Sequence, residues 1–157
     1  MALQPQLLKT ALGMAFMQQP AIPLTPGQNI TKETKNYLQL SMNAGGQPFA
    51  TVMPEPFGVN IGQIFQGQLP IGMTIGQAIG AQLTSMAMTY MSTFQIGPPV
   101  TPPTHVPALM KLFTEQPKSG MEFGQNLGGV IADWIAVWVV SGMLPGTPPI
   151  PFSGPLS

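Results

Sequence analysis

One histidine, His105, stands in the stretch TPPTHVP, and five carboxylates, Glu33, Glu55, Glu115, Glu122 and Asp133, are spread along the chain. An imidazole works as a general base or metal ligand only beside a group that orients it or shares the metal. No acid lies near His105 in sequence, and no two acids have the spacing of a general acid–base pair or a ligand set. Cysteine is absent, so thiolate metal sites and disulfides are excluded. The expectation is therefore a non-enzyme with no catalytic, cofactor-binding or metal-binding residues. Glu122 has a simpler role: three residues after Ser119 it forms a capping box and meets the positive end of a helix dipole.

A second pattern of possible chemical use is glycine at every fourth position, in GMTIGQAIG from Gly72 and GMEFGQNLG from Gly120. It lacks the Lys and Ser/Thr of a phosphate-binding loop and does not match the dinucleotide fingerprint. The spacing is that of a membrane helix-dimerisation face. An offset of 48 pairs Gly72, Gly76 and Gly80 with Gly120, Gly124 and Gly128, and Gln77 with Gln125. A shorter third copy, GVNIGQIF from Gly58, meets QGQLP before a long helix can form. Asn60 and Thr74 read as N-caps with a glutamine three residues later, so the unit reads first as a helix-start signal. Each glycine in a helix costs about 0.5–1 kcal/mol relative to alanine, which suggests a close backbone neighbour as a second role.

These motifs sit in an unusual composition. Apolar residues make up 44% and charged residues 6%, with 19 Pro, 18 Gly, five Lys, no Arg and zero net charge. Ordinary disorder needs high charge and few apolar residues, so it is excluded. Scattered Lys9, Lys32, Lys35, Lys111 and Lys118 make no basic patch, and no nucleic-acid partner is expected. Little surface charge remains to hold copies apart. The N-terminal stretch MALQPQLLKTALGMAFMQQP has no basic region ahead of its apolar run, so a cleaved secretory signal is not expected.

The expected fold class is mainly α, with capped helices joined by extended Pro/Gly-rich arms and little or no β-sheet. Apolar periodicity predicts helices over about 4–18 and 31–43, and two long repeat-related helices over about 74–95 and 122–141. A short helix begins near Pro107, and a short strand covers 49–53 before Pro54 ends it. The whole is read as one non-compact unit in three parts: 1–57, 58–107 with a Pro-rich exit, and 108–157 with a Pro-rich tail. Residues 127–144 could span a bilayer at the short end of the usual range. Their repeat partner is too polar, Asp133 is costly in lipid, and no Lys or Arg cluster sets a topology. A small membrane-associated protein, holin-like or a channel subunit, is therefore the alternative.

The C-terminal segment GVIADWIAVWVVSGMLPGTPPIPFSGPLS resembles the ends of small structural virion proteins of tailed bacteriophages, in which an apolar helix precedes a Gly/Pro/Thr-rich tail. That resemblance implies a structural or adaptor subunit of a tail, baseplate, neck or capsid, located in the virion. Its partners would be other virion proteins or copies of itself. Met86, Tyr90, Phe94, Ile131, Trp134 and Trp138 on the long helices, with Pro148, Pro149 and Phe152 on the tail, are the expected interface residues, since buried aromatics anchor interfaces and methionine adapts to them.

Overall fold

The structure is a computed structural model that describes residues 3–17, 25–67 and 72–157. Among the described residues six helices dominate: α1 Pro5–Met17, α2 Thr25–Leu38, α3 Glu55–Gln66, α4 Gly72–Ala87, α5 His105–Leu112 and α6 Gly120–Ile135. Four short strands complete it: β1 Phe49–Thr51, β2 Met91–Ser92, β3 Val139–Leu144 and β4 Ile150–Pro155. The strands form two small antiparallel pairs, β1 with β2 and β3 with β4. The fold class is mainly α.

Several elements differ from the periodicity reading. Helix α2 starts at Thr25, because Pro26 in a first helical turn sacrifices no hydrogen bond, and it stops at Leu38 rather than 43. Helix α3, not expected at full length, forms with Pro54 as N-cap and a further proline in its first turn. Asn60 and Thr74 lie inside α3 and α4 rather than capping them. Both long helices end early. After Ala87 the Thr89 hydroxyl donates to Met86 O at 2.6 Å, and after Ile135 the β-branched run Val137, Val139, Val140 favours the strand that follows. The expected tail beyond 144 folds back as β4, paired residue for residue from Val139↔Pro155 to Leu144↔Ile150. Ser119 does cap α6: its side chain accepts from Glu122 N at 3.1 Å, and the Glu122 carboxylate accepts from Lys118 N at 2.8 Å.

The glycines are where helices touch. Along α6, Gly120, Gly124 and Gly128 face Phe16, Leu12 and Lys9 of α1 in descending order, so the two helices are antiparallel. Gly72, Gly76 and Gly80 of α4 face Phe113, Leu109 and Val106 of α5 in the same way. Gly27 of α2 lies against Gly58 and Gly62 of α3. A β-carbon on Gly76 would stand 2.6 Å from the Leu109 carbonyl carbon, one on Gly128 2.7 Å from Lys9 Cα, and one on Gly27 2.8 Å from Gly62 Cα. Backbone cannot swing aside, so close packing is the first role of these residues. Starting a helix is the second.

Three close pairs are therefore α1 with α6, α2 with α3, and α4 with α5. Each helix also packs on the next one in the chain, and the return of α6 to α1 closes the cycle. One hydrophobic core, built from Leu12, Ile30, Ile61, Ile79, Leu109 and Leu127 among others, draws on all six helices and all three expected parts of the chain. At the base of the close pairs, Phe113 meets Phe65 at 6.0 Å and Phe123 at 5.4 Å, and Phe123 meets Phe16 at 5.0 Å.

The C-terminal ends of α2, α4 and α6 converge under a cap of strands. Each ends in the same two turn bonds, the second being Ser41 N to Leu38 O, Tyr90 N to Ala87 O and Trp138 N to Ile135 O. The chain then passes into extended segments that join one another in a cycle. Thr51 pairs with Met91, Val100 with Val139, and Ser157 with Met42 through reciprocal bonds of 2.7 and 2.9 Å.

Candidate functional site

His105 begins α5, and it is 1% exposed. Its ring stacks on Trp134 of α6 with centroids 3.8 Å apart, while Trp134 Nε1 donates to Pro102 O at 2.9 Å. Nε2 lies 3.0 Å from both Gly80 O and Thr84 Oγ1. Gly80 O can only accept, so Nε2 carries the proton and Nδ1 is left as a buried lone pair with no partner. Burial pushes the imidazole pKa below its ordinary value, and the bond to Gly80 opposes this without reversing it. No carboxylate reaches the ring. Among the described residues no group of three His, Cys, Asp or Glu is placed to hold a metal ion. The ring therefore packs and bonds as a neutral core group.

A polar and aromatic network continues from Trp134 under the strand cap. Trp134 meets Trp138 edge-on at 4.9 Å, Trp138 meets Tyr90 at 5.8 Å, and the Tyr90 hydroxyl lies 2.8 Å from Ser41 Oγ. Desolvation raises the Tyr90 pKa, partly offset by the Ser41 and Ser92 hydroxyls. Gln95 locks the next turn: its carbonyl oxygen accepts from Ser92 N and Ser92 Oγ, and its amide donates to Tyr90 O and Gly97 O. Trp138 Nε1 is a second buried polar atom without a partner.

The outer side of the cap is different in kind. The segment 94–100 runs beside the β3/β4 hairpin and joins it through two isolated antiparallel bridges, Gln95↔Gly142 and Val100↔Val139. Side chains alternate across a sheet, and Gln95, Val140 and Gly142 are buried, so the opposite set faces out. Three rows result: Val100, Val139 and Pro155; then Ile96, Ser141 and Ser153; then Phe94, Met143 and Pro151. Ile96 is 64% exposed and Val100 65%. The only polar members are Ser141 and Ser153, whose hydroxyls lie 2.8 Å apart. Phe94 is held at φ 62°, a left-handed conformation that a bulky residue rarely adopts, and it is 46% exposed.

None of the ten charged side chains lies in the segments 39–54, 88–104 or 136–157 that build the cap. All stand on helices or beside their ends. A groove of about 560 Å³ between α2 and α3 carries Lys32, Lys35 and Glu55 on that charged side.

The nine expected interface residues divide accordingly. Met86, Tyr90, Ile131, Trp134 and Trp138 are 0–2% exposed inside this chain's own core. Phe94 lies on the outer sheet face. Pro148 and Pro149 are exposed at the hairpin turn, and Phe152 packs half-buried over Gly142 and against Gly45. The outward partners of Phe94, namely Ile96, Val100 and Met143, escaped the sequence reading. Their signal was present as alternation in TFQIG and VVSGML, masked by the helical reading of those stretches. Among the described residues no helix is long and apolar enough to cross a membrane. No protein-family model, no curated protein and no solved structure matches the chain.

Proposed function

We propose that this protein is a non-enzymatic structural or adaptor subunit of a phage virion, in a tail, baseplate, neck or capsid, and that it joins neighbouring virion chains through its strand cap. The observation that carries this reading is the segregation of charge: every ionic side chain lies on the helical side, and the outer sheet face has none. Monomeric proteins rarely leave a contiguous apolar face open, and such faces mark sites of association. The left-handed Phe94 supports the same surface. Strain of about 1–3 kcal/mol at one residue is typically retained where the side chain has a task.

We also infer that the chain is an internal triplicate. The helix-end residues Ser41, Tyr90 and Trp138 are 49 and 48 residues apart, as are Gly27, Gly76 and Gly124 at the close contacts, and Phe16, Phe65 and Phe113 at the base. The extended segments would then be cap strands of each unit rather than free arms. Mass spectrometry of gradient-purified particles from the source phage lysate tests the assembly role. The chain is expected in the particle fractions at a fixed ratio to the major structural proteins. Recovery only from the soluble, particle-free fraction refutes it.

A further inference from the structure

We propose that the outer face of the β3/β4 hairpin and the bridged segment 94–100 is a self-association surface whose occupant is the same face of a second copy of this chain. The inference rests on the assembly reading above and names a partner for its surface. Three features argue for a second copy.

The first is electrostatic. A face without charge cannot satisfy a buried ion on its partner, and burying an unpaired charge is costly. The partner must therefore be uncharged over the whole contact, a condition this chain's own cap meets.

The second is the pattern of rows. The apolar row of Phe94, Met143 and Pro151 and the apolar row of Val100, Val139 and Pro155 flank a central row that holds the Ser141–Ser153 hydroxyl pair. A two-fold axis through the central row lays each outer row of one copy on the opposite outer row of the other. Apolar side chains then meet apolar side chains and hydroxyls meet hydroxyls, which is the self-complementarity an isologous dimer requires. Sheets that pack face to face in this way keep their strands within about 30° of alignment.

The third is size. The three rows, with the exposed turn 145–149 beside them, offer on the order of 600–800 Å², just under the share of one partner in a standard interface. A dimer of modest, micromolar affinity follows, seen only at raised concentration.

Sedimentation equilibrium of the full chain from about 1 µM to about 200 µM brackets such an affinity. The weight-average mass is expected to rise from 16.6 kDa toward twice that value and to stop there. The double variant Ile96→Lys/Met143→Lys is expected to remain at 16.6 kDa throughout, with an unchanged circular-dichroism melting curve because both residues are exposed. Lys32→Glu, on the helical side, is expected to associate as wild type does. Phe94→Gly should relieve the strained backbone yet weaken association at least ten-fold. A wild-type mass that stays monomeric at the highest concentration overturns the proposal. So does a dimer that the double variant leaves intact, or a mass that grows past the dimer, since a two-fold contact closes. The two readings fail separately: particles that contain the chain while the purified chain stays monomeric overturn self-association alone. A dimer that never enters particles overturns the virion role alone.

Discussion

Replacing Gly124 by alanine is expected to destabilise the protein, while the same change at Gly129, five residues along the same helix, is expected to stabilise it. A β-carbon at Gly124 would stand 2.6 Å from Leu12 C and 2.8 Å from Gly13 Cα, with Leu12 O closer still. Every one of these atoms is backbone, so α1 must move away by several tenths of an ångström or more. That move also loosens the contacts at Gly120 and Gly128. Overpacking of this kind costs roughly 1–3 kcal/mol, and the absence of a side chain that could rotate places it at the upper end. The gain in helix propensity offsets about 0.5–1 kcal/mol, leaving a net loss of about 2 kcal/mol. For a chain of this length each kcal/mol moves Tm by about 2–4 °C, so the expected fall is about 4–8 °C. At Gly129 the nearest atom to a new β-carbon is the mobile Lys9 Cε at 3.7 Å, an ordinary contact. Only the propensity gain remains there, worth about 1–4 °C upward. Thermal melts of both variants followed by circular dichroism give the signs directly. If Gly124→Ala melts at or above the wild-type temperature, the close backbone contact between α1 and α6 is refuted, and with it the packing role assigned to the other glycines.

The buried, neutral His105 makes stability depend on pH. Its folded pKa lies below the unfolded value of about 6.5, so under mild acid the unfolded chain binds more protons than the native one. Stability is complete above about pH 6.5 and falls as pH drops from there toward the folded pKa, by at most about 1.4 kcal/mol per unit from this group. Urea melts at pH 7.5, 6.5 and 5.5 measure the slope, and His105→Phe, which keeps a ring on Trp134, is expected to flatten it. Ser119→Ala removes the α6 cap bond to Glu122 N and is expected to cost about 0.5–2 kcal/mol, read as a lower denaturation midpoint at unchanged m-value. Tyr90→Phe removes the buried bond to Ser41, whose hydroxyl keeps its bond to Leu38 O, for an expected loss of about 0.5–1.5 kcal/mol in the same assay.

What could be read from the sequence follows the range of the interactions concerned. Ser119 and Glu122 act across one helical turn, and that cap is where local spelling placed it. Pro5 likewise opens α1 within a residue of the expected start. Helix ends at Ala87 and Ile135 were not legible in the same way, because the apolar period runs on through Tyr90 and Trp138. Those residues satisfy a helical pattern and a capped-turn pattern equally well. Only the cycle of strand bonds, Thr51 to Met91, Val100 to Val139 and Ser157 to Met42, decides between them, and those partners lie tens of residues apart. Proline hid a third signal. The stretches GQNI from Gly27, GQAI from Gly76 and GQNL from Gly124 stand 49 and 48 residues apart, yet Pro23 and Pro26 beside the first left it ahead of the helix expected from 31.

The uneven legibility has a geometric cause. Gly27, Gly76 and Gly124 sit at separate helix pairs, away from one another, so each can satisfy the same backbone contact with the same residue. Ser41, Tyr90 and Trp138 occupy the corresponding turn at each helix end, and Tyr90 touches both of the others. Three equal large side chains could not share that space, and three small ones would leave a void that a packed interior does not tolerate. Size must therefore be divided unequally. Ser41 leaves room for the Tyr90 ring and bonds its hydroxyl, and Trp138 fills the remainder edge-on. The same residue type thus recurs at the glycine contacts, which lie on separate helix pairs, and differs at the helix ends, which meet. Glycine recurs at spacings of 49 and 48 residues while the residues at the cap differ, although the cap bonds recur with the same spacing.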